Sequence, residues 1–128
     1  MTGGAWCRVL CVDDNRDVAE SLVMLLTLVG FDARACFDGA SALAEAATFC
    51  PHAGVLDLNM PGMNGYELAR RLREQLGPRL FLMAVTAVGD PDTDRRVVEA
   101  GFNLKLTKPA DPNQLLAVLT RFQQALSV

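Results

Sequence analysis

The 128-residue sequence lacks the features that mark several specialised classes of protein. Six prolines, ten glycines and a hydrophobic content of 51% exclude disordered, collagen-like and low-complexity chains. No apolar run reaches the roughly 18 residues that a membrane span needs, so no membrane partner is expected. Twelve basic residues against fifteen acidic ones leave a net charge of −3 without a basic block, so direct nucleic-acid binding is not expected either.

The start of the chain, residues 1–6, has neither the cationic beginning nor the apolar stretch of a secretion signal. The four cysteines show no C-x-x-C spacing, and the single histidine, His52, offers no companion ligand for a zinc site. We therefore expect a cytoplasmic protein with reduced, structural thiols. Residues 1–6 are interpreted as an N-terminal extension and residues 7–126 as one domain, which is long enough to bury its own core.

Five short apolar runs alternate with stretches that carry apolar residues at helical spacing. The runs are Val9–Val12, Asp32–Cys36, Ala53–Leu58, Leu80–Val85 and Leu104–Thr107. A strand followed by a helix, five times over with short connections, predicts an α/β fold. Its parallel sheet is expected to be covered by helices on both faces.

Capping residues indicate the boundaries of the predicted helices. Acceptor side chains followed by proline or by glycine predict helix starts at Asn64, Asp90-Pro91 and Asp111-Pro112. Glycine adopts the left-handed conformation that ends many helices, which predicts helix ends at Gly30, Gly77 and Gly101.

Charged and hydroxyl side chains follow four of the predicted strands. Asp13 and Asp14 follow the first strand, Asp57 ends the third, Thr86 follows the fourth and Lys108 follows the fifth. Because ligands of parallel sheets bind at the carboxyl ends of the strands, we expect these side chains to meet. Gathered carboxylates repel one another unless a cation is present, and Mg²⁺ is the hard ion that oxygen ligands suit. Asp57 is then placed to attack phosphorus, while Lys108 offsets the developing charge.

Each of these residues also has an ordinary structural interpretation. Asp13 and Asp14 are suited to cap the helix that begins near Asn15. Lys108 is suited to form an ion pair with Asp57. His52 is interpreted as a solvated loop residue, and Arg70, Arg71 and Arg73 as a solvated helix face.

Four segments together resemble the signature blocks of response-regulator receiver domains, the CheY-like domains of two-component phosphorelay systems. They are Val9–Asn15, Val55–Gly65, Val85–Ala87 and Leu106–Pro109, in order and each at a strand end. The resemblance covers nearly the whole chain and implies that residues 7–126 are a receiver domain. It also implies a flavodoxin-like (βα)₅ fold, a three-layer sandwich with five parallel strands in the order 2-1-3-4-5.

The resemblance further implies a role for each site residue. Asp57 would accept a phosphoryl group from a histidine kinase, a phosphotransfer protein or a small phosphodonor. Asp13, Asp14, Asp57 and the main-chain carbonyl of Asn59 would hold Mg²⁺, while Thr86 and Lys108 would contact the phosphoryl oxygens. The Lys108–Pro109 peptide bond is expected to be cis. Output to a downstream protein or domain would pass through the face formed by the fourth helix, fifth strand and fifth helix.

Two positions depart from the family pattern. Lys105 stands where receivers usually carry the aromatic residue of a rotamer switch, and Ala110 stands where a bulky apolar residue often follows the proline. Lys105 is open to two interpretations: an edge-strand lysine that blocks strand addition, or a sign that the domain signals without the aromatic switch.

Several alternatives remain open at this point. The chain is either a stand-alone, non-enzymatic regulator, the receiver segment of a hybrid sensor histidine kinase, or part of a regulator with an output domain. An aspartyl-nucleophile phosphatase would need a second acid where Asn59 stands. A flavodoxin-like nucleotide or FMN carrier would need a phosphate loop in place of Asp13-Asp14-Asn15, and a scaffold without phosphorylation would not need the complete acidic set.

Overall fold

Strands and helices alternate along the chain as the apolar pattern predicts. The computed structural model describes residues 7–87 and 91–126. Within these ranges the elements are β1 (Arg8–Val12), α1 (Arg16–Leu28), β2 (Asp32–Cys36), α2 (Gly39–Phe49), β3 (Ala53–Asp57), α3 (Gly65–Leu76), β4 (Phe81–Thr86), α4 (Pro91–Ala100), β5 (Leu104–Thr107) and α5 (Pro112–Leu126). The predicted N-terminal extension, residues 1–6, lies outside the described residues.

The five strands form one parallel sheet in the order β2-β1-β3-β4-β5, which confirms the expected topology. Two apolar clusters cover its two faces. One contains buried residues of α2, α3 and α4, and the other contains buried residues of α1 and α5. The fold is therefore the expected three-layer sandwich.

Two strand ends differ slightly from the predicted runs, and both differences concern the site. The third strand ends at Asp57 and the fourth extends to Thr86, so both polar residues are the last of their strands. Leu58 still donates its backbone N–H to the carbonyl of Val85 at 3.3 Å. Apolar character alone placed Leu58 in the strand, although the chain turns there.

The predicted helix boundaries hold where the structure describes them. Gly30, Gly77 and Gly101 have φ angles of 101°, 93° and 98°, in the left-handed region that favours glycine. Asn64 caps α3 by accepting the backbone N–H of Glu67 at 3.0 Å. The predicted cap at Asp90 lies outside the described residues.

Arg73 corrects the prediction of a wholly solvated arginine face on α3. Its guanidinium is half-buried and donates to the carbonyls of Leu80 and Gly101 and, at 3.2 Å, to Oδ1 of Asn103. Burial lowers the pKa of Arg73 from its ordinary value. The side chain joins the end of α3 to the start of β4 and to the α4–β5 turn, far from the carboxyl ends of the strands.

His52 is half-buried and contacts the amino-terminal end of β1, so it is not the freely solvated residue expected. Its Nδ1 accepts the backbone N–H of Arg8 at 2.9 Å. Burial, with a smaller contribution from the Arg8 charge, lowers the pKa of His52. The acceptor role requires an unprotonated Nδ1, which links this contact to pH.

We predict that acidification weakens the fold through His52. Its pKa is lower in the folded than in the unfolded chain, so the unfolded state binds the proton first. Stability is therefore lost as the pH falls from the unfolded value of about 6.5 towards the folded one. Urea unfolding between pH 8 and pH 5 measures this loss. The His52→Asn variant keeps an acceptor oxygen but does not titrate in this pH range. An equal loss of stability in that variant would contradict the assignment to His52.

The cysteines are free thiols, as expected. Cys7, Cys11 and Cys36 are buried and Cys50 is exposed. Burial raises the pKa of both Cys7 and Cys36 to about 11, so these two thiols stay protonated at neutral pH. Over residues 7–87 and 91–126, no helix combines the length and apolar character that crossing a bilayer demands.

Candidate functional site

The carboxyl ends of β1, β3, β4 and β5 bring the predicted site residues to one edge of the sheet. Asp13 follows β1, Asp57 and Thr86 end β3 and β4, and Lys108 follows β5. Asp13, Asp57 and Thr86 are 6%, 3% and 5% exposed, and no other polar side chains are as buried among the described residues. Burying two carboxylates is costly unless they are paired, so their presence here indicates a functional site.

Three carboxylates form a cluster that suits a metal ion. Asp13, Asp14 and Asp57 each offer an oxygen, and these atoms lie within 4.8 Å of one another. Asp13 and Asp57 are buried, whereas Asp14 is exposed and opens the cluster to solvent. Carboxylate oxygens with an open side are the ligands that Mg²⁺ prefers, because it keeps several of its waters. The donor set therefore fits the predicted ion.

Lys108 bridges the two buried carboxylates. Its Nζ lies 3.2 Å from Oδ1 of Asp57 and 3.6 Å from Oδ2 of Asp13. The backbone N–H of Lys108 donates to the carbonyl of Thr86 at 2.6 Å, and the Lys108–Pro109 peptide bond is cis, as expected. The ion pair with Asp57, the structural interpretation of Lys108, is present, and its functional interpretation stays a prediction.

The electrostatics of the cluster favour a bound cation. Burial raises the pKa of Asp57, and the neighbouring charge of Asp13 acts in the same direction. Hydrogen bonds from the Asn59 N–H and from Lys108 oppose this rise but do not cancel it. Burial alone would lower the pKa of Lys108, but its contacts with Asp57 and Asp13 outweigh that effect and raise it. The lysine therefore stays charged. It lies beside two carboxylates whose combined negative charge exceeds its own positive charge.

The capping interpretation of the two aspartates is wrong, because Asn15 caps α1 itself. Oδ1 of Asn15 accepts the backbone N–H groups of Asp17 and Val18 at 3.0 and 3.3 Å. Asp13 accepts the N–H of Asn15 through Oδ1 at 2.9 Å, while its Oδ2 faces Lys108. Asp13 and Asp14 therefore lie beside Asp57 without serving as the helix cap.

Asn59 contacts the side chain of Asp57 through its backbone N–H. Its N–H donates to Oδ1 of Asp57 at 3.2 Å, which fixes the orientation of the carboxylate. The use of its main-chain carbonyl as a metal ligand stays a prediction, as does the contact of Thr86 and Lys108 with a phosphoryl group.

Gly65 is a supporting residue that sequence reasoning treated only as part of a helix start. A Cβ atom at this position would lie 2.7 Å from Cα of Leu58 and closer still to the carbonyl oxygen of Asp57. The N–H of Gly65 donates to the carbonyl of Leu58 at 3.0 Å. The first turn of α3 is thus pressed against the segment that carries Asp57. The Asn64-Gly65 pair was the available signal, but a sequence does not reveal what a helix start contacts.

Lys105 lies on the edge strand β5 and forms an ion pair with Asp94 of α4. Its side chain is 27% exposed. The lysine therefore connects β5 to α4. Both interpretations of Lys105 given above remain predictions.

The sheet order, the acidic cluster and the lysine after β5 together define a CheY-like α/β domain. The family described as "Response regulator receiver domain" matches residues 9–120. The chain belongs to this family. Its recognition from four short sequence segments is thereby confirmed.

The relatives and solved structures agree with this membership. The chain is 37% identical over 111 residues to the DNA-binding response regulator MtrA of Mycolicibacterium paratuberculosis, covering 86% of this chain and 48% of MtrA. It is 37% identical over 110 residues to the response regulator MprA of Mycobacterium avium, covering 86% of this chain and 48% of MprA. The chain thus spans about half the length of the curated relatives it matches.

Among solved structures, the chemotaxis protein CheY4 of Vibrio cholerae superposes with a TM-score of 0.85 at 28% identity, covering 91% of this chain and 98% of CheY4. The response regulator DrrB of Thermotoga maritima superposes with a TM-score of 0.82 at 27% identity, covering 94% of this chain and 54% of DrrB. The similarity therefore covers nearly all of CheY4 but only about half of DrrB.

Proposed function

We propose that the domain is a phosphoacceptor in two-component signalling, with Asp57 as the residue that receives the phosphoryl group. The observation that carries this proposal is the position of Lys108 between Asp57 and Asp13 in a buried acidic cluster. This position puts a positive charge directly beside the carboxylate of Asp57. Phosphoryl transfer needs positive charge at this point, since the transferred group carries negative charge on its outer oxygens.

Asp13, Asp14, Asp57 and the main-chain carbonyl of Asn59 are the proposed ligands of Mg²⁺. When bound there, Mg²⁺ would supply positive charge that offsets the negative charge of the carboxylates and of the phosphoryl group. Asp57 acts as the nucleophile: one carboxylate oxygen forms a bond to phosphorus while the bond from phosphorus to the donor atom breaks. Lys108 stays close to Asp57 and offsets the charge on the phosphoryl oxygens, and Asn59 holds the carboxylate in orientation through its N–H.

Thr86 and the α4–β5–α5 face are the proposed output elements. Thr86 is buried at the end of β4, the strand that precedes α4 in the chain. An aspartyl phosphate adds about 1.5 to 2 negative charges, and the Thr86 hydroxyl is a donor within the same strand-end cluster. Movement of Thr86 towards the phosphoryl group would bias a two-state equilibrium of this face.

A phosphorylation assay tests the proposal. Incubation with Mg²⁺ and acetyl phosphate, followed by intact-mass measurement, is expected to show one phosphate adduct. The Asp57→Asn variant is expected to show none. Asp38→Asn is the matched control, because Asp38 caps α2, is not part of the three-carboxylate cluster, and asparagine also caps helices. An adduct that persists in Asp57→Asn would contradict the proposal.

The proposed partners are a histidine kinase or phosphotransfer protein as donor and a downstream protein or domain as receiver of the signal. Direct binding of nucleic acid is not proposed for the described domain, although one relative is named a DNA-binding response regulator. We also propose that the domain is cytoplasmic and is not an enzyme.

The phosphorylation assay also distinguishes this proposal from the phosphatase alternative, because a phosphatase would release phosphate over many cycles rather than hold one adduct.

A further inference from the structure

A cavity of about 730 Å³ extends from the acidic site between α1, α5 and the sheet. Its polar end is formed by Asp57 and Lys108, and its walls include the apolar side chains of Leu22, Val55 and Leu115. The volume lies in the range of about 300–1,000 Å³ that is usual for small-molecule sites. The cavity therefore offers an apolar compartment in addition to the carboxylates that hold the proposed metal.

Small side chains on three walls account for the open space. Cys11 projects from β1, Ala19 from α1 and Ala110 from the segment that precedes α5, and all three line the cavity. Ala110 is half-buried and packs against the apolar cluster of α1 and α5. The space beside these small side chains is partly open to solvent, so a ligand can enter it.

The mouth of the cavity carries a net negative charge. Asp13, Asp17 and Asp57 line it together with one cation, Lys108, which already contacts Asp13 and Asp57. Asp17 lies on the first turn of α1, is exposed, and is not part of the three-carboxylate cluster. A ligand with a positive charge near Asp17 would complement this mouth, whereas an anionic head group would be repelled.

We propose that this cavity binds a small amphipathic cation, a molecule with an aliphatic or aromatic body and a protonated amine. The body occupies the space between Leu22, Ala110 and Leu115, and the amine lies near Asp17 at the mouth. The exposed carboxylate of Asp17, which is not one of the proposed metal ligands, selects this class over a neutral or acidic molecule with the same body. The proposal does not depend on phosphoryl transfer, because neither the cavity nor Asp17 requires a phosphorylated Asp57.

The test titrates the protein with n-hexylamine, 1-hexanol and hexanoate, without Mg²⁺ or phosphodonor, and follows backbone amide shifts by NMR. Hexylamine is expected to shift the amides of Leu22, Ala110 and Leu115 saturably. Hexanol is expected to bind more weakly and hexanoate more weakly still. Equal binding of hexylamine and hexanol would overturn the proposed selectivity, and no saturable shift with any of the three would overturn the site.

Two variants test the placement of the ligand. Ala110→Leu fills the cavity and is expected to weaken hexylamine binding at least tenfold. Ala44→Leu, at an exposed alanine of α2 that does not line the cavity, is the matched control and is expected to leave the affinity unchanged. Thermal unfolding checks that Ala110→Leu is folded. Asp17→Asn, which leaves the metal ligands intact, is expected to weaken hexylamine about two- to fivefold and to leave hexanol unchanged. Unchanged hexylamine affinity in folded Ala110→Leu or in Asp17→Asn would contradict the proposal.

Discussion

Replacement of Gly65 by alanine is expected to lower the free energy of unfolding by about 3 kcal/mol, near the upper end for an overpacked site. The new methyl group would overlap the carbonyl of Asp57 and the backbone of Leu58, which cannot rotate away as a side chain can. The start of α3 must therefore move away from β3. Because a displacement of about 1 Å can slow a positioned reaction about 100-fold, phosphorylation by acetyl phosphate should slow at least tenfold.

Gly62→Ala is the matched control for Gly65→Ala. A Cβ at residue 62 would meet nothing within 4 Å, but its φ of 76° is unfavourable for alanine. The expected loss is therefore about 1 to 2 kcal/mol, from backbone conformation alone, with little change in phosphorylation. Urea unfolding and the rate of adduct formation measure both effects. Similar phosphorylation rates in the two variants would show that the close contact at Gly65 does not position Asp57.

The second large effect concerns Asp57 and Mg²⁺ together. Without Mg²⁺, Asp57→Asn is expected to raise the free energy of unfolding, although most substitutions destabilise. Burial raises the pKa of Asp57, so its ionised form is less favourable in the folded chain than in the unfolded one at neutral pH. Asparagine removes this charge, and Lys108, which is 36% exposed, keeps Asp13 and solvent as partners.

Addition of Mg²⁺ should reverse the order of the two proteins. At 100 times its dissociation constant, a ligand of the folded state adds about 2.7 kcal/mol, and the wild type should gain this much. Asp57→Asn has lost one carboxylate of the cluster and should gain much less. Urea unfolding with and without MgCl₂ measures both gains, with Asp38→Asn as the control that behaves like wild type. Equal gains in wild type and Asp57→Asn would exclude Asp57 as a metal ligand.

The sequence predicted the architecture well because the relevant signals are local. Alternating apolar runs and helical stripes specify which segments are strands and helices, and buried parallel strands tolerate few polar residues. Polar residues that end such strands must then meet at one edge of the sheet, which is why Asp57, Thr86 and Lys108 were recognised together. The strand order itself came from the resemblance, since apolar spacing does not say which strands are neighbours.

Three features that the sequence did not reveal depend on contacts between distant segments. Arg73 has the composition of a solvated helix face, yet its guanidinium reaches carbonyls on two other loops. The tight fit of Gly65 against β3 and the space in front of Ala110 are properties of packing. The helix cap, in contrast, is a local feature. Three neighbouring acceptor side chains, those of Asp13, Asp14 and Asn15, were available to cap α1, and the backbone conformation makes Asn15 the cap.

The ion pair between Lys105 and Asp94 has a consequence for the solution conditions under which the domain operates. Asp94 is largely exposed, so counterions reach the pair. At an ionic strength of 0.15 M, charges are screened over about 8 Å, and exposed pairs contribute less as salt increases. An aromatic side chain at residue 105 would hold α4 through apolar contact, which salt does not weaken in this way. The attachment of α4 to β5 should therefore loosen progressively with ionic strength.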